Sequence, residues 1–286
     1  MTTDSYHLHS PETRNSPVVF ASPHSGRAYS RAFLRQSTLN EHQIRSSEDA
    51  FVDLLFSNVP SYGAPLLCAL TPRAFVDLNR SVDELDPALI KNVVARQLNP
   101  RISSGLGVIP RVVANGRAIY SGKIDYAEAE IRLANHWHPY HAKLRTLMDE
   151  ADNDFGQAIL IDLHSMPHEA LEATTSDINK RPEIVLGDRF GSAASDEIVS
   201  KIEHAFKDAG LRVVRNSPFA GAYVTQRYGR PSRNQHAVQI EIDRALYMDE
   251  PTITPRADFT QFRDLMTGVI SQIVSSTQPN KSLAAE

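Results

Sequence analysis

The feature that most constrains this chain is a set of short runs that are apolar on consecutive residues. "AILIDLH" (158–164), "APLLCAL" (64–70) and "PVVFA" (17–21) are the clearest. Side chains of a strand alternate between two faces, so a strand that is apolar on both faces must be covered on both. Helical patterns lie between the runs. "SSEDAFVDLLFSNV" (46–59) reads as a helix capped by Ser46 or Ser47, with acids in its first turn and Phe51, Leu54 and Leu55 as its apolar stripe. "DYAEAEIRLANHWHPYHAKLRTLMDEA" (125–151) is a long helical pattern that Pro139 should kink or restart. "SAASDEIVSKIEHAFKDAG" (192–210) carries Ile198, Ile202 and Phe206 on one face and ends at Gly210, and "DFTQFRDLMTGVISQIVSS" (258–276) closes the chain.

Further strands are expected at "RAFVDLNR" (73–80), "EIVLGD" (183–188), "LRVVRN" (211–216) and "HAVQIEIDRALY" (236–247). Residues 85–120, with Pro87, Pro100 and Pro110, read as an irregular excursion holding short strands near "GVIPRVV" and "RAIY". Alternation of strands and helices predicts an α/β fold with a mostly parallel sheet covered on both faces. No repeat or linker interrupts it, so one domain over residues 1–286 is expected, with polar tails at 1–16 and 277–286.

Charge and cysteine usage exclude several roles. Thirty basic residues face 34 acidic ones, a net charge of -4, so there is no basic field to hold nucleic acid. A single cysteine, Cys68, cannot form an internal disulfide and reads as a buried strand residue. No apolar run approaches the roughly 18 residues of a membrane span. The polar start of the chain does not resemble a signal peptide, so a cytoplasmic location without membrane partners is expected. Nothing in the sequence speaks to oligomeric state.

In open α/β sheets, ligands bind beyond the carboxyl ends of the strands. The polar groups placed there are His24; Asp77, Asn79 and Arg80; Asp162 and His164; and Glu241 with Asp243, while Glu48, Asp49 and Asp53 open the helix after the first strand. Two histidines and an acid suit a catalytic zinc, which takes three protein ligands and leaves one position for water. Asp162 and His164 share a strand face by their spacing, which makes Asp162 a group that orients something in the same site. Glu241 lies between Ile240 and Ile242, so its carboxylate should be desolvated and its pKa raised, as suits a general base. Plainer readings stand beside these: a hydrogen-bonded histidine corner, an Arg–Asp pair closing a loop, or Glu241 ion-paired with Arg244 or Arg80. Of "HWHPYH", only His141 is retained as a weak site candidate.

"SPHSGRAYS", "EDAFVDLLF", "RAFVDLNR", "ILIDLHS", "NSPFAGAYVTQRYGRP" and "AVQIEIDRALYMDE" follow one another in this order. Together they resemble the N-formylglutamate amidohydrolase family, from about residue 17 to about 275. The resemblance implies a three-layer α/β/α fold of the phosphorylase/hydrolase type, similar to zinc carboxypeptidases and aspartoacylases. It implies one zinc ion and cleavage of N-formyl-L-glutamate to formate and L-glutamate, a step of histidine degradation. It implies His24, Asp49 and His164 as metal ligands, with Glu48 as the alternative acid, and Glu241 as the catalytic carboxylate. It implies Asn79 and Arg80 as binders of a substrate carboxylate and Arg73 as a group steadying the oxyanion. In place of a proline usual in the family, "YSRAF" follows "HSGR", and the polar loop 168–181 is expected near the site. A deacylase of another N-acyl amino acid such as N-acetyl-aspartate, a non-catalytic small-molecule binder on the same fold, and a serine hydrolase through Ser25 or Ser165 are the competing readings.

Overall fold

The structure is a computed structural model describing residues 5–94, 99–172, 177 and 181–278. Its strands are β1 (Tyr6–His9), β2 (Val18–Ser22), β3 (Leu66–Ala69), β4 (Ala158–Met166), β5 (Ile184–Gly187), β6 (Val213–Arg215) and β7 (Gln235–Asp243), with a minor pair, β8 (Met248–Asp249) and β9 (Thr254–Pro255). The helices are α1 (Arg31–Gln36), α2 (Val52–Leu55), α3 (Pro100–Ser103), α4 (Tyr126–Arg132), α5 (His138–Phe155), α6 (Asp196–Asp208), α7 (Tyr223–Tyr228) and α8 (Phe259–Ser276). Seven strands form one sheet in the order β1-β3-β2-β4-β7-β5-β6. The central neighbours β3, β2, β4 and β7 are parallel, as are β5 and β6; β1 meets β3 and β5 meets β7 antiparallel.

Both faces of the sheet are covered, as the apolar runs require. Ile159, Ile161 and Leu163 of β4 pack with α6 and α8 residues such as Ile202, Phe206, Val269 and Ile273. Ala158 and Leu160 point the other way, against Tyr140, Leu144 and Met148 of α5. β7 divides likewise, Val238, Ile240 and Ile242 to the first face and Ala237 to the second. Asp162, His164, Gln239 and Glu241 therefore continue the α5 face beyond the point where its apolar core ends.

Several local expectations are corrected. "RAFVDLNR" is a series of turns, because Pro72 starts a turn (Phe75 N–H to Pro72 O, 2.9 Å) and Asp77 Oδ1 takes the Asn79 N–H at 2.8 Å. That local bond competes with a strand ladder. The helix expected over 46–59 is broken: a 3₁₀ turn covers Gln43–Ser47, α2 starts at Val52, and Phe51 between them takes a left-handed φ of 66°. Glu48 and Asp49 lie in the break, not in a first turn. The interruption expected at Pro139 is present as a wider π turn at Leu133–Trp137, after which the helix restarts as α5 with the proline in its first turn. The strands expected near "GVIPRVV" and "RAIY" are reduced to isolated bridges, Val112 with Ala118 and Ser37 with Tyr120. Within the stretch read as an amino-terminal tail, Tyr6–His9 form the edge strand β1. Of the loop 168–181, residues 173–176 and 178–180 lie outside the described residues, as do 279–286 of the expected carboxyl tail.

Candidate active site

β2, β4 and β7 end together at one edge of the sheet. His24 follows β2, and its carbonyl accepts the Asp49 N–H at 3.0 Å, which draws the broken segment 48–50 against the β2 exit. His164 stands near the end of β4, directly opposite Glu241 of β7, and Asp162 stands opposite Gln239. Gly26 allows the exit loop to close: a Cβ there would lie 2.1 Å from the Thr71 carbonyl oxygen.

His24, Asp49 and His164 are all buried and present ligand atoms within 4.8 Å of one another. His24 Nδ1 lies 3.4 Å and His164 Nδ1 3.0 Å from Asp49 Oδ2. The far edge of each imidazole is taken. His24 Nε2 is 2.7 Å from Asp77 Oδ1, and His164 Nε2 is 3.0 Å from Asp162 Oδ2 and 3.1 Å from Asn79 Nδ2. Asp49 Oδ1 is likewise held, by Arg244 Nη2 at 3.0 Å and Ser165 Oγ at 3.3 Å. One oxygen and two ring nitrogens are thus left to converge. His24 Nδ1 is buried with no hydrogen-bond partner. An orphaned imidazole nitrogen beside a carboxylate oxygen and a second imidazole is the donor set that zinc takes. The residues fit the ion.

The electrostatics agree with the geometry. Burial opposes the charge of Asp49, yet contacts with His164 and His24 hold its pKa well below the usual carboxylate range. Burial would depress His164, but Asp162 and Asp49 outweigh it and raise the imidazole well above its ordinary value. The pocket is therefore a dense cluster of opposite charges, costly to leave unpaired. Glu241 behaves in the opposite sense: burial, reinforced by the charge of Asp49, lifts it to about 7 against the pull of His164, Arg73 and Arg244. Gln239 Nε2 donates to Glu241 Oε1 at 2.7 Å.

The other anticipated residues separate into two groups. Arg73 lines the cavity and donates from Nε to Asp77 Oδ2 at 3.1 Å. Arg80 lines it too; its Nε reaches Leu106 O at 3.0 Å and its Nη1 reaches Asn79 O at 2.7 Å. A guanidinium has five N–H donors, so three remain. The Asn79 carboxamide is directed inward, accepting from Val224 N at 2.8 Å and approaching His164 and Gln239 with its amino group. Glu48 and His141 are not brought to the site. Glu48 is gripped by Arg45 through both oxygens, at 3.0 and 3.1 Å, with Tyr29 on one of them. His141 is buried in α5 between Leu78 O and the Tyr228 hydroxyl, and burial lowers its pKa to about 3.

Three participants are missing from the sequence-based assignments. Asp77 reads there only as a polar residue at a strand end, Gln239 does not stand out, and Arg244 figures only as a partner for Glu241. Gln239 has a usable signal, its two-residue spacing from Glu241. Arg244 has none, because its pairing with Asp49 spans 195 residues of sequence.

These residues sit inside a region with known relatives. A curated protein from Pseudomonas aeruginosa, N-formylglutamate deformylase, is 28% identical over 268 residues, 91% of this chain and 92% of that protein. The crystal structure of N-formylglutamate amidohydrolase from Ralstonia eutropha JMP134 superposes with a TM-score of 0.89 at 32% identity, covering 96% of this chain and 99% of that one. A gene product of Agrobacterium tumefaciens shares the fold alone, with a TM-score of 0.63 at 16% identity. The family model for N-formylglutamate amidohydrolase matches residues 16–248, a span that holds His24, Asp49, Asp77, Asp162, His164, Glu241 and Arg244. By that match the chain belongs to the N-formylglutamate amidohydrolase family.

Proposed function

We propose that this chain is a zinc-dependent amidohydrolase that cleaves N-formyl-L-glutamate to formate and L-glutamate, in the cytoplasm, as a step of histidine degradation. The observation that carries the reading is the convergence of His24 Nδ1, His164 Nδ1 and Asp49 Oδ2 beside the raised carboxylate of Glu241. The names of the relatives support the substrate.

His24, Asp49 and His164 would hold the ion. Zinc bound there supplies Lewis acidity, polarising the amide carbonyl and making a water more acidic. Everything else falls to side chains of this chain. Glu241, with a pKa near neutrality, takes the proton of the attacking water and returns it to the leaving nitrogen. Gln239 keeps the Glu241 carboxylate from turning away. Arg73 stands on the Asp77 side, where negative charge on the carbonyl oxygen can be met by its unspent N–H groups. Arg80 anchors a substrate carboxylate with the three donors it does not spend on backbone.

The test is hydrolysis of N-formyl-L-glutamate, N-acetyl-L-glutamate and N-acetyl-L-aspartate by zinc-loaded protein and by chelator-treated protein, following the free amino acid in each case. Activity on the formyl compound that vanishes with chelator and returns with zinc is expected. Activity indifferent to chelator, or confined to an acetyl compound, refutes the reading.

A further inference from the structure

The cavity over the candidate site has a volume of about 640 Å³ and is lined by four arginines: Arg73, Arg80, Arg101 and Arg244. Two of them are neutralised in place, Arg73 by Asp77 and Arg244 by Asp49. The other two are not. Arg80 has no carboxylate within ion-pair distance among the described residues, and the Arg101 side chain has neither an ion pair nor a hydrogen bond there.

A short turn places Arg101 beside Arg80. Leu106 N–H donates to the Arg101 carbonyl at 2.8 Å, and the Leu106 carbonyl accepts from Arg80 Nε at 3.0 Å. The loop carrying Arg101 is thus fastened to Arg80 itself. The two guanidinium groups feel each other: burial lowers the Arg80 pKa, Asp77 pulls it back up, and the charges of Arg73 and Arg101 push it down again. Two unpaired like charges in one cavity repel, and a ligand with two anionic groups relieves that repulsion. Depth orders them. Arg80 is buried and feels the charge of Asp77, while Arg101 is exposed.

We propose that Arg101 is the specificity-determining residue of this site: it receives the side-chain carboxylate of an N-acyl dicarboxylic amino acid, while Arg80 receives the carboxylate next to the scissile amide. This rests on the hydrolytic reading above for the identity of the scissile bond. It goes beyond it in dividing the two carboxylates between two arginines. A neutral side chain of the same shape leaves Arg101 without its partner, and a missing charge-assisted hydrogen bond of this kind changes affinity by about 10- to 100-fold.

The experiment compares wild type with Arg101→Met and Arg101→Lys on N-formyl-L-glutamate and N-formyl-L-glutamine, with binding of L-glutamate and L-glutamine to the zinc-loaded proteins measured by calorimetry. Because Arg101 is exposed, circular dichroism is expected to show an unchanged fold. The preference for the glutamate over the glutamine compound should collapse by about 10- to 100-fold in Arg101→Met, mainly through KM, and be partly kept in Arg101→Lys. The same collapse is expected in binding. A preference that survives Arg101→Met in both measurements, or a wild type that binds neither amino acid, overturns the proposal. A wild type that binds L-glutamate in an Arg101-dependent way but hydrolyses no formyl compound sinks the deformylase reading and leaves this one standing.

Discussion

Asp77 Oδ1 lies 2.7 Å from His24 Nε2, and this contact decides which nitrogen of His24 faces the cavity. Asp77 stays ionised despite burial, held chiefly by the charges of His24 and of Arg73. An ionised carboxylate only accepts, so His24 Nε2 carries a proton toward Asp77, and Nδ1, on the Asp49 side, is the nitrogen left to bind an ion. Asp162 encloses the corresponding edge of His164. Each histidine is thus faced by a carboxylate from a different part of the chain, one in a turn and one in β4.

From this orientation, Asp77→Asn should keep the fold and weaken zinc binding by about 10- to 100-fold, read by competition with a chromogenic chelator. His24→Ala and His164→Ala should each lose stoichiometric zinc by metal analysis. Zinc retained at full occupancy in both alanine variants would falsify the ligand set.

Glu241→Gln preserves the shape of the side chain and its contact with Gln239 but removes the ionisable carboxyl group that the proposed reaction uses as its base. Zinc content should stay at the wild-type level while kcat falls by about 10²- to 10⁴-fold. Wild-type turnover in this variant would take Glu241 out of the reaction.

The raised Glu241 also predicts a pH-dependent stability in the metal-free protein. Its folded pKa, about 7, lies above the ordinary glutamate value of 4.5. The stabilisation from the protonated form is complete below the unfolded value and is lost as pH rises through about 7. At pH 8 the buried carboxylate opposes folding by on the order of 3 kcal/mol. Chelator-treated Glu241→Gln should therefore be more stable than chelator-treated wild type at about pH 8, and the two should converge near pH 4.5. Urea titrations at both pH values check this; a gap independent of pH contradicts it.

Gly26 offers a test of how the site is built, independent of catalysis. Its Cβ would meet Thr71 O at 2.1 Å and Thr71 C at 2.6 Å, and both are backbone atoms that cannot rotate away. Gly26→Ala should cost about 1–3 kcal/mol of stability by denaturant titration. It should weaken zinc binding too, because His24 is two residues away. A variant as stable as wild type would mean that the loops after β2 and β3 separate easily.

Much of this is written locally. "AILIDLH" is apolar on both faces up to Ile161, and Asp162 follows, so a covered central strand with a polar tip results from the period of a strand alone. The same period puts Asp162 with His164 and Gln239 with Glu241, and the register of β4 with β7 then joins the two pairs. What local pattern misreads is any segment shaped by a distant partner. "SSEDAFVDLLFSNV" has the pattern of one helix, yet Asp49 is bonded to the His24 carbonyl and the helix breaks at Phe51 to allow it. "RAFVDLNR" has the pattern of a strand, yet Asp77 and Asn79 turn toward His24 and His164.

The sequence by itself determined the α/β alternation, the strands that had to be buried, and the residue types gathered at their carboxyl ends, because these depend on side-chain polarity and on periods of about two and 3.6 residues. Only the tertiary structure decided which acid joins the histidines. Glu48 and Asp49 are adjacent and chemically alike, but Arg45 holds Glu48 aside while Arg244, from the far end of the chain, holds Asp49 in place. That choice is made by hydrogen bonds between residues far apart in sequence, and no local pattern encodes them.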